Sequence, residues 1–362
     1  MRSPDEPQNE LFCTISIESL IPPHHPLRSI LALANRALHR MEPQFQKLYS
    51  TTGRPSVPPE QVLRAMLLLI LYGFRSERRL MEEMRYNFAL RWFVGLTMGE
   101  QVWDVTVFTK NRARFLESDL AQQWLKAVVM EAHQTQLIDP DHFSVDGTLI
   151  QAWASEKSYQ PKDDPPSRGT GRGGQLLKRD THQSTTDPDA RLYRKSARDA
   201  FRLGYLGHLA IEHRHGLIVA STLTPCSTHA ERQAATGLLE QIQAWRKQVS
   251  SKPRRMVVSA DTAYHEQDFV EATQRLGFEA HLPAWPRRKR PDLIGEALRR
   301  TARYGKSRRK RKWIERCFAW LKGPAGQRQT RFRGTNRVAW NFDFAAGVYN
   351  LLRMIKLQPA SV

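Results

Sequence analysis

The chain has 362 residues, enough for two domains, and its 40% hydrophobic content is sufficient to form buried cores. Lys and Arg number 56 against 36 Asp and Glu, which gives a formal net charge of +20 at pH 7. This excess of positive charge destabilises the folded chain by self-repulsion unless a polyanion neutralises it. Nucleic acid is the most common polyanion.

Several other classes of protein are disfavoured. The sequence has no uninterrupted apolar run of about 18 residues, so we expect no transmembrane helix and no membrane partner. The first residues, MRSPDEPQNELF, lack the basic and then apolar pattern of a signal peptide. The three cysteines are odd in number and far apart, which argues against a disulfide framework and favours an intracellular protein with reduced thiols.

Helical signals dominate the first third of the chain. Ser56 is expected to cap a helix whose first turn contains Pro58 and Pro59. Apolar residues at helical spacing predict further helices over residues 28–41, 76–84, 87–94 and, as one or two helices, 108–137. The sequence therefore predicts an all-helical N-terminal domain over residues 1–135.

From about residue 140 the apolar periodicity alternates between strand and helix. Strands are predicted over residues 142–146, 205–212, 217–223, 256–261 and 279–282, with the second and third forming a hairpin. Helices are predicted over residues 229–248, 266–276, 310–321 and 338–357. This order predicts an α/β fold over 136–357, with a mixed sheet flanked by helices.

Two segments interrupt these elements. Residues 160–190 are rich in Pro, Gly and charged residues, and are interpreted as a flexible insertion. Residues 286–333 hold 18 Lys or Arg but only three acids, which is typical of a surface that faces a polyanion. We expect both segments to lie beside DNA.

Two carboxylates follow apolar strand patterns. Asp146 lies in FSVDGTLIQAW and Asp261 lies in MVVSADTAYH. An acid at the end of a buried strand lies at the rim of the sheet, where sites in α/β proteins usually open. Gly147 and Thr148 are expected to let the backbone turn after Asp146. A turn or helix-cap role explains two such acids about as well as a shared divalent-metal site does. A third carboxylate would favour the metal site.

Glu315 is the third candidate, in RRKRKWIERCFAWLKG. As a helix, this segment places Arg308, Arg311, Glu315 and Lys322 on one stripe. An acid among bases is usually a salt-bridge partner on a solvated face. These bases also suit a DNA strand that brings its phosphate to metal ions, with Arg311 and Lys322 holding the strand.

In the order of these motifs, nearly the whole chain resembles insertion-sequence DDE transposases of the InsH-like (insertion-sequence-five) family. SVDGTLIQAWAS and SADTAY resemble the two aspartate motifs, and GRPSVPPEQVLRAMLLLILYGF resembles part of the N-terminal helical domain. Arg311, Glu315 and Lys322 fit the signature R-x3-E-x6-K. The chain departs from the family at Arg308, where the signature often has Tyr, and in Asp261-Thr262-Ala263-Tyr264, where the motif often reads DKGY.

The resemblance implies an RNase H-like catalytic fold that performs metal-dependent DNA cleavage and strand transfer. It implies that Asp146, Asp261 and Glu315 are the catalytic residues and hold two Mg²⁺ ions, for which Mn²⁺ can substitute. The DNA contacts that we expect are Arg308, Arg311, Lys322, Arg331 and Arg333. The implied partners are double-stranded DNA, as terminal inverted repeats and target, and a second copy of the chain when assembled on DNA. The implied location is the bacterial cytoplasm, associated with the nucleoid.

Two other functions share parts of this pattern. A repair or junction-cutting nuclease of the same fold would use the same acids, but the helical N-terminal domain argues against it. A decayed transposase that acts as a repressor would bind DNA without catalysis, although all three acids are present. A metal site at the hairpin histidines His208, His213 and His215 is disfavoured because no third soft ligand is near in sequence.

Overall fold

The computed structural model describes residues 15–49, 52, 56–162, 182–194, 199–227, 230–249, 255–285 and 291–357. Most of the insertion predicted over 160–190 lies outside the described residues, and so does 286–290 at the start of the basic segment. In the described ranges, every helix is too short or too polar to cross a bilayer.

The N-terminal part of the described chain is helical. Its helices are α1 (Pro26–Arg40), α2 (Glu42–Leu48), α3 (Pro59–Leu71), α4 (Glu77–Tyr86), α5 (Phe88–Val94), α6 (Val105–Leu116) and α7 (Leu120–Gln134). Ser76 caps α4 by accepting a hydrogen bond from the backbone N–H of Arg79, and Asn87 caps α5 in the same way. The predicted Ser56 cap is wrong: α3 begins at Pro59 after Pro58, because consecutive prolines already have the φ angle of a first turn.

The rest of the described chain alternates strands and helices. The strands are β1 (His142–Gln151), β2 (Tyr159–Pro161), β3 (His182–Ser184), β4 (Arg191–Tyr193), β5 (Arg202–Glu212), β6 (Ile218–Pro225), β7 (Met256–Ser259) and β8 (Phe278–His281). The helices are α8 (Ala230–Val249), α9 (Gln267–Arg275), α10 (Glu296–Arg299), α11 (Ala302–Arg311), α12 (Trp313–Lys322) and α13 (Thr335–Leu357). The single helix predicted over 310–321 is therefore two, α11 and α12, separated at Lys312.

The main sheet has β1 at its centre. β1 pairs antiparallel with β5 and parallel with β7, while β6 extends the sheet beyond β5 and β8 extends it beyond β7. The order across the sheet is therefore β6-β5-β1-β7-β8, and the short strand β4 also pairs antiparallel with the first residues of β5. This mixed sheet confirms the predicted RNase H-like α/β class.

β1 is longer than the sequence indicates. It pairs with β5 from Phe143 opposite Glu212 to Gln151 opposite Gly204. Asp146 therefore lies within the strand, and the predicted turn at Gly147 and Thr148 is wrong. Pairing with the long strand β5 overrides the local turn preference of the Asp-Gly-Thr sequence.

The two faces of the sheet bury different helices. Phe143 and Val145 of β1 pack with side chains of α8 and α9. Leu209 and Ile211 of β5 belong to the larger core that includes α7 and α13. Because side chains alternate along a strand, α8 and α13 lie on opposite faces.

Polar side chains fix α13 against β6. The side-chain amide of Asn350 donates to the backbone oxygen of Ile218 at 2.7 Å and accepts from its N–H at 2.8 Å. Two turns before Asn350 in α13, Asp343 accepts a hydrogen bond of 2.5 Å from the hydroxyl of Ser221 in β6. Asp343 and Asn350 are buried, and burial raises the pKa of Asp343 to about 7.

The segment between β3 and β5 is tied to the start of α13. Tyr205 donates its hydroxyl hydrogen to Asp187 at 2.7 Å, and the same carboxylate oxygen accepts from the N–H of Gly334 at 3.1 Å. Asp189 accepts from the backbone N–H of Thr335 at 2.8 Å. The two aspartates thus join β5 and the first turn of α13.

Asp343→Asn is expected to remove a pH dependence of stability. Because the pKa of Asp343 is raised in the folded state, its contribution is fully present below the unfolded value of 3.8 and is lost as pH rises through about 7. Between about pH 4 and about pH 7, the wild type should lose free energy of unfolding relative to the variant. Urea unfolding measures this, with exposed Asp268→Asn as the control. Equal pH slopes for wild type and Asp343→Asn would contradict the expectation.

Candidate active site

The parallel pairing of β1 with β7 brings Asp146 and Asp261 to the same level of the sheet. Ser144 lies opposite Ser259 in the ladder, so two residues further along each chain Asp146 and Asp261 are level. Neighbouring strands are about 4.8 Å apart, and residues at equal positions project towards the same face. The two carboxylates therefore lie beside each other at the point where β7 ends.

Asp261 also shapes the backbone that follows it. Its carboxylate caps the 3-10 helix Thr262–Tyr264 by accepting a hydrogen bond from the N–H of Ala263 at 2.8 Å. The helix-cap role that the sequence leaves open is thus present. The cap fixes the direction of the carboxylate immediately after the strand.

Arginines of α11 cross the end of β7 and contact both strands. Arg311 lies 3.3 Å from the second carboxylate oxygen of Asp146, and the first accepts from the N–H of Gly147 at 2.8 Å. Arg308 donates to the backbone oxygen of Ala260, next to Asp261, at 3.0 Å. Both arginines of the predicted DNA-binding stripe therefore hold α11 on the carboxylate end of the sheet.

Glu315 lies one helical turn beyond Arg311, in the first turn of α12, and is exposed. In the parts of the chain that the structure describes, no group of three or more His, Cys, Asp or Glu side chains is close enough to hold a metal ion. The structure brings Asp146 and Asp261 together but does not gather Glu315 with them.

The remaining predicted DNA contacts lie further along the chain. Lys322 is half-buried at the end of α12, whereas Arg331 and Arg333 are exposed in the loop before α13. Arg331 donates to the backbone oxygen of Arg75, between α3 and α4. This loop therefore joins the helical N-terminal part to the part that carries the carboxylates.

Glu231, which sequence reasoning did not single out, and the hairpin histidine His208 both lie against β1 at Gly147, the residue after Asp146. A Cβ atom placed on Gly147 would be 3.1 Å from Nδ1 of His208 and 3.2 Å from both Cγ and Oε1 of Glu231. Glycine at position 147 leaves room for this approach, and the backbone continues through it as a strand without a turn. The sequence offered only the HAE triplet after the hairpin, in which nothing marks proximity to Asp146.

The pKa of the buried Tyr264 is affected by charged side chains near it. Tyr264 is 1% exposed, and burial raises its pKa well above the ordinary value. The negative charges of Asp146, Glu231 and Asp261 raise the pKa further, while Arg311 opposes them. The pKa of this phenol group thus depends on burial first and on the surrounding charges second.

His208 is neutral near pH 7. Burial lowers its pKa to about 4, and its Nε2 lies 2.9 Å from the hydroxyl oxygen of Thr224. His213 is also buried, 2.6 Å from the Ser144 hydroxyl, and His215 contacts the backbone oxygen of Leu137. Each of the three hairpin histidines thus contacts a protein group through at least one ring nitrogen.

Two family models match the chain. A "Transposase DDE domain" matches residues 138–351, more than half of the 362 residues, and a "Transposase domain (DUF772)" matches residues 15–114. The chain belongs to the DDE transposase family. This transposase is an enzyme of DNA transposition by strand cleavage and strand transfer, and its two domains are those of an insertion-sequence transposase.

Solved structures resemble the transposase only distantly. The piggyBac transposase synaptic complex with hairpin DNA is 8% identical, with 93% of this chain and 80% of that chain covered and a TM-score of 0.36. The pre-cleavage Mos1 transpososome is 10% identical, with 85% and 80% covered and a TM-score of 0.23. The Mos1 mariner paired end complex with Mn is 11% identical, with 89% and 84% covered and a TM-score of 0.22. No curated protein matches the sequence.

Proposed function

We propose that the transposase cleaves and joins DNA at a site formed by Asp146, Asp261 and Glu315. The observation that carries the proposal is the level placement of Asp146 and Asp261 at the end of β7. Neighbouring carboxylates beside basic side chains are what a phosphoryl-transfer enzyme needs to hold cations against a DNA phosphate.

The donor set fits a divalent cation. Mg²⁺ prefers oxygen ligands and is usually held by one or two carboxylates together with water and phosphate, which Asp146 and Asp261 can supply. We propose two Mg²⁺ ions, with Mn²⁺ as a substitute. When bound, the ions would activate the attacking hydroxyl group and stabilise the leaving 3′ oxygen.

Arg311 offers a positive charge at the same place. Its guanidinium lies 3.3 Å from Asp146, and both side chains are mostly shielded from solvent. In the protein without cations, this contact lowers the repulsion between the neighbouring carboxylates. Glu315 lies one turn further along, and the proposal requires it to approach Asp146 and Asp261 when DNA binds.

The surrounding residues position DNA. Exposed Arg331 and Arg333 are placed to contact phosphates, which orients a strand without reading its sequence. We propose that a helical domain over residues 1–135 binds the terminal inverted repeats, and that 136–357 forms the catalytic domain. We further propose that the transposase acts as a homodimer assembled on DNA ends, with double-stranded DNA as both end and target.

Neutralising each proposed ligand is expected to abolish cleavage. Asp146→Asn, Asp261→Asn and Glu315→Gln keep the side-chain volume but remove the charge, so cleavage of labelled element ends in Mg²⁺ should fall by at least about a hundredfold. Glu240→Gln, at an exposed position on α8, is the matched control and should cleave as the wild type does. If all these variants cleave equally, the proposed site is wrong.

The same reactions separate the alternative functions. A transposase joins the cleaved 3′ end to target DNA, whereas a repair nuclease gives cleaved ends without a joined product. A repressor that has lost catalysis would bind the ends and give neither product, and Asp261→Asn would then leave its biological effect unchanged.

Arg333→Ala should weaken DNA binding and reduce its dependence on salt. Each phosphate contact that is lost lowers the slope of log K against log [salt] by about 0.9. Lys247→Ala is the control, because Lys247 is exposed at the end of α8, on the opposite face of the sheet from α13. Fluorescence anisotropy over a series of salt concentrations measures both slopes. Equal slopes for Arg333→Ala and wild type would remove Arg333 from the DNA contacts.

Arg311→Ala should strengthen cation binding while weakening DNA cleavage. The guanidinium competes with a cation for Asp146, and a partly exposed ion pair of this kind contributes about 1 kcal/mol, or roughly fivefold in affinity. Titration of the DNA-free protein with Mn²⁺ measures the affinity, and Arg309→Ala at an exposed position on α11 is the control. Weaker Mn²⁺ binding by Arg311→Ala would show that the arginine does not oppose the cation.

A further inference from the structure

Three cationic side chains surround one indole ring at the start of α12. Nζ of Lys310 lies 3.9 Å from the ring centroid of Trp313, and the guanidinium carbons of Arg316 and Arg353 lie 5.9 and 5.7 Å from it. No two of these charges are therefore more than about 12 Å apart. We call Lys310, Trp313, Arg316 and Arg353 the Trp313 cluster.

The hairpin turn between β5 and β6 holds the indole ring in place. Gly216 has a φ angle of +74°, and a Cβ atom on it would lie 2.8 Å from Cε3 of Trp313, so both the turn and the ring favour glycine. Arg353 of α13 donates to the backbone oxygen of His215 at 2.9 Å, and the Tyr349 hydroxyl donates to that of Gly216 at 3.3 Å. The Trp313 cluster is thus held by α12, α13 and the hairpin together.

The positive charges of the Trp313 cluster have no acidic partner in the described parts of the chain. None of its three cations forms an ion pair there, and neither does Glu315, the acid of α12. Glu212, at the end of β5, is buried, and both its carboxylate oxygens accept from backbone N–H groups. Like charges held close together destabilise the folded protein, so the cluster favours an anionic ligand.

The Trp313 cluster lies on the face of the sheet to which Asp146 points. Because side chains alternate along β1, Asp146 points away from α8, which packs on Val145, and towards α11 and α12. The hairpin turn that contacts the indole follows Glu212, which pairs with Phe143, three residues before Asp146. Three residues of strand span about 10 Å, which is about three nucleotides along a DNA strand.

The backbone of double-stranded DNA matches the Trp313 cluster in charge and in spacing. A duplex carries one phosphate charge per about 1.7 Å of its axis, so a length of about 12 Å presents about seven. Three cations within that length can each contact a phosphate. Because the indole ring already restricts their side chains, less conformational entropy is lost when DNA binds.

A simpler explanation for the Trp313 cluster is packing of α12 against α13 and the hairpin. A cation over an aromatic ring stabilises a fold modestly, and Lys310 and Arg353 are half-buried. Arg316 is exposed and is the most distant of the three from the ring. Packing predicts an effect on melting temperature alone, whereas phosphate binding predicts an effect on the salt dependence of DNA affinity.

We propose that the Trp313 cluster binds backbone phosphates of double-stranded DNA beside the proposed catalytic site, through Lys310, Arg316 and Arg353. The inference rests on the proposed function, because it adds contacts to the same DNA. Glu315 lies in the same turn of α12 as Arg316. DNA held by the cluster is therefore next to the carboxylate that the proposed function requires to approach Asp146.

DNA binding by the full-length protein at a series of salt concentrations tests the inference. The probe is a fluorescein-labelled duplex of arbitrary sequence, and its anisotropy gives the slope of log K against log [salt]. Arg316→Gln removes one phosphate contact and should reduce the magnitude of the slope by about 0.9, whereas Arg316→Lys keeps the charge and should keep the slope. Arg275→Gln is the matched control, because Arg275 is exposed in the last turn of α9, which packs with α8.

Lys310→Gln is a second, independent variant and should reduce the slope by the same amount. Circular dichroism and melting temperature establish that each variant is folded. Wild-type slopes in both Arg316→Gln and Lys310→Gln would overturn the inference. A lower melting temperature with unchanged slopes would also overturn it, in favour of the packing explanation.

Failure of the inference is distinguishable from failure of the proposed function. If Arg333→Ala reduces the slope but Arg316→Gln and Lys310→Gln do not, the inference is overturned and the proposed function stands. If Arg316→Gln reduces the slope while Asp146→Asn and Asp261→Asn cleave as the wild type does, the DNA contact is supported and the proposed catalytic site is wrong.

Discussion

The register between β1 and β7 is the constraint on which the active site depends. Ser144 and Ser259 are completely buried and lie opposite each other, and the two aspartates follow at equal distances along their strands. A slip of one residue would turn every side chain of one strand to the other face of the sheet. The packing of Phe143 and Val145 against α8 and α9 opposes such a slip, so the hydrophobic core on one face fixes the position of charges at the end of β7.

The arginines of the basic segment have two different roles. Arg308 and Arg311 bind a backbone oxygen and a carboxylate of the sheet, so part of the basic segment acts within the molecule. Arg333 is exposed and remains on the surface. The same residue type thus fastens α11 in place and provides a surface for a polyanion, and only the three-dimensional contacts distinguish the two uses.

Much of the fold follows from the sequence because its signals are local. Apolar periodicity and caps such as Ser76 and Asn87 involve only a few neighbouring residues, and the apolar strand patterns before Asp146 and Asp261 predict that both lie at the sheet. The error at Asp146 arose because Asp-Gly-Thr is typical of turns, whereas pairing with β5 is not local. Glu231 was missed for the same reason: its distance from Gly147 depends on how α8 returns over the sheet. The position of Glu315 during catalysis depends on DNA and cations, which the sequence does not contain.

The bonds of Asp187 have a consequence for how β5 and α13 depend on each other. One of its carboxylate oxygens accepts from the hydroxyl of Tyr205 in β5 and from the N–H of Gly334, just before α13. Because buried partners left without this oxygen would be costly, loss of this single side chain would loosen the sheet and the start of the last helix together. One short acidic residue thus couples two elements that are far apart in sequence.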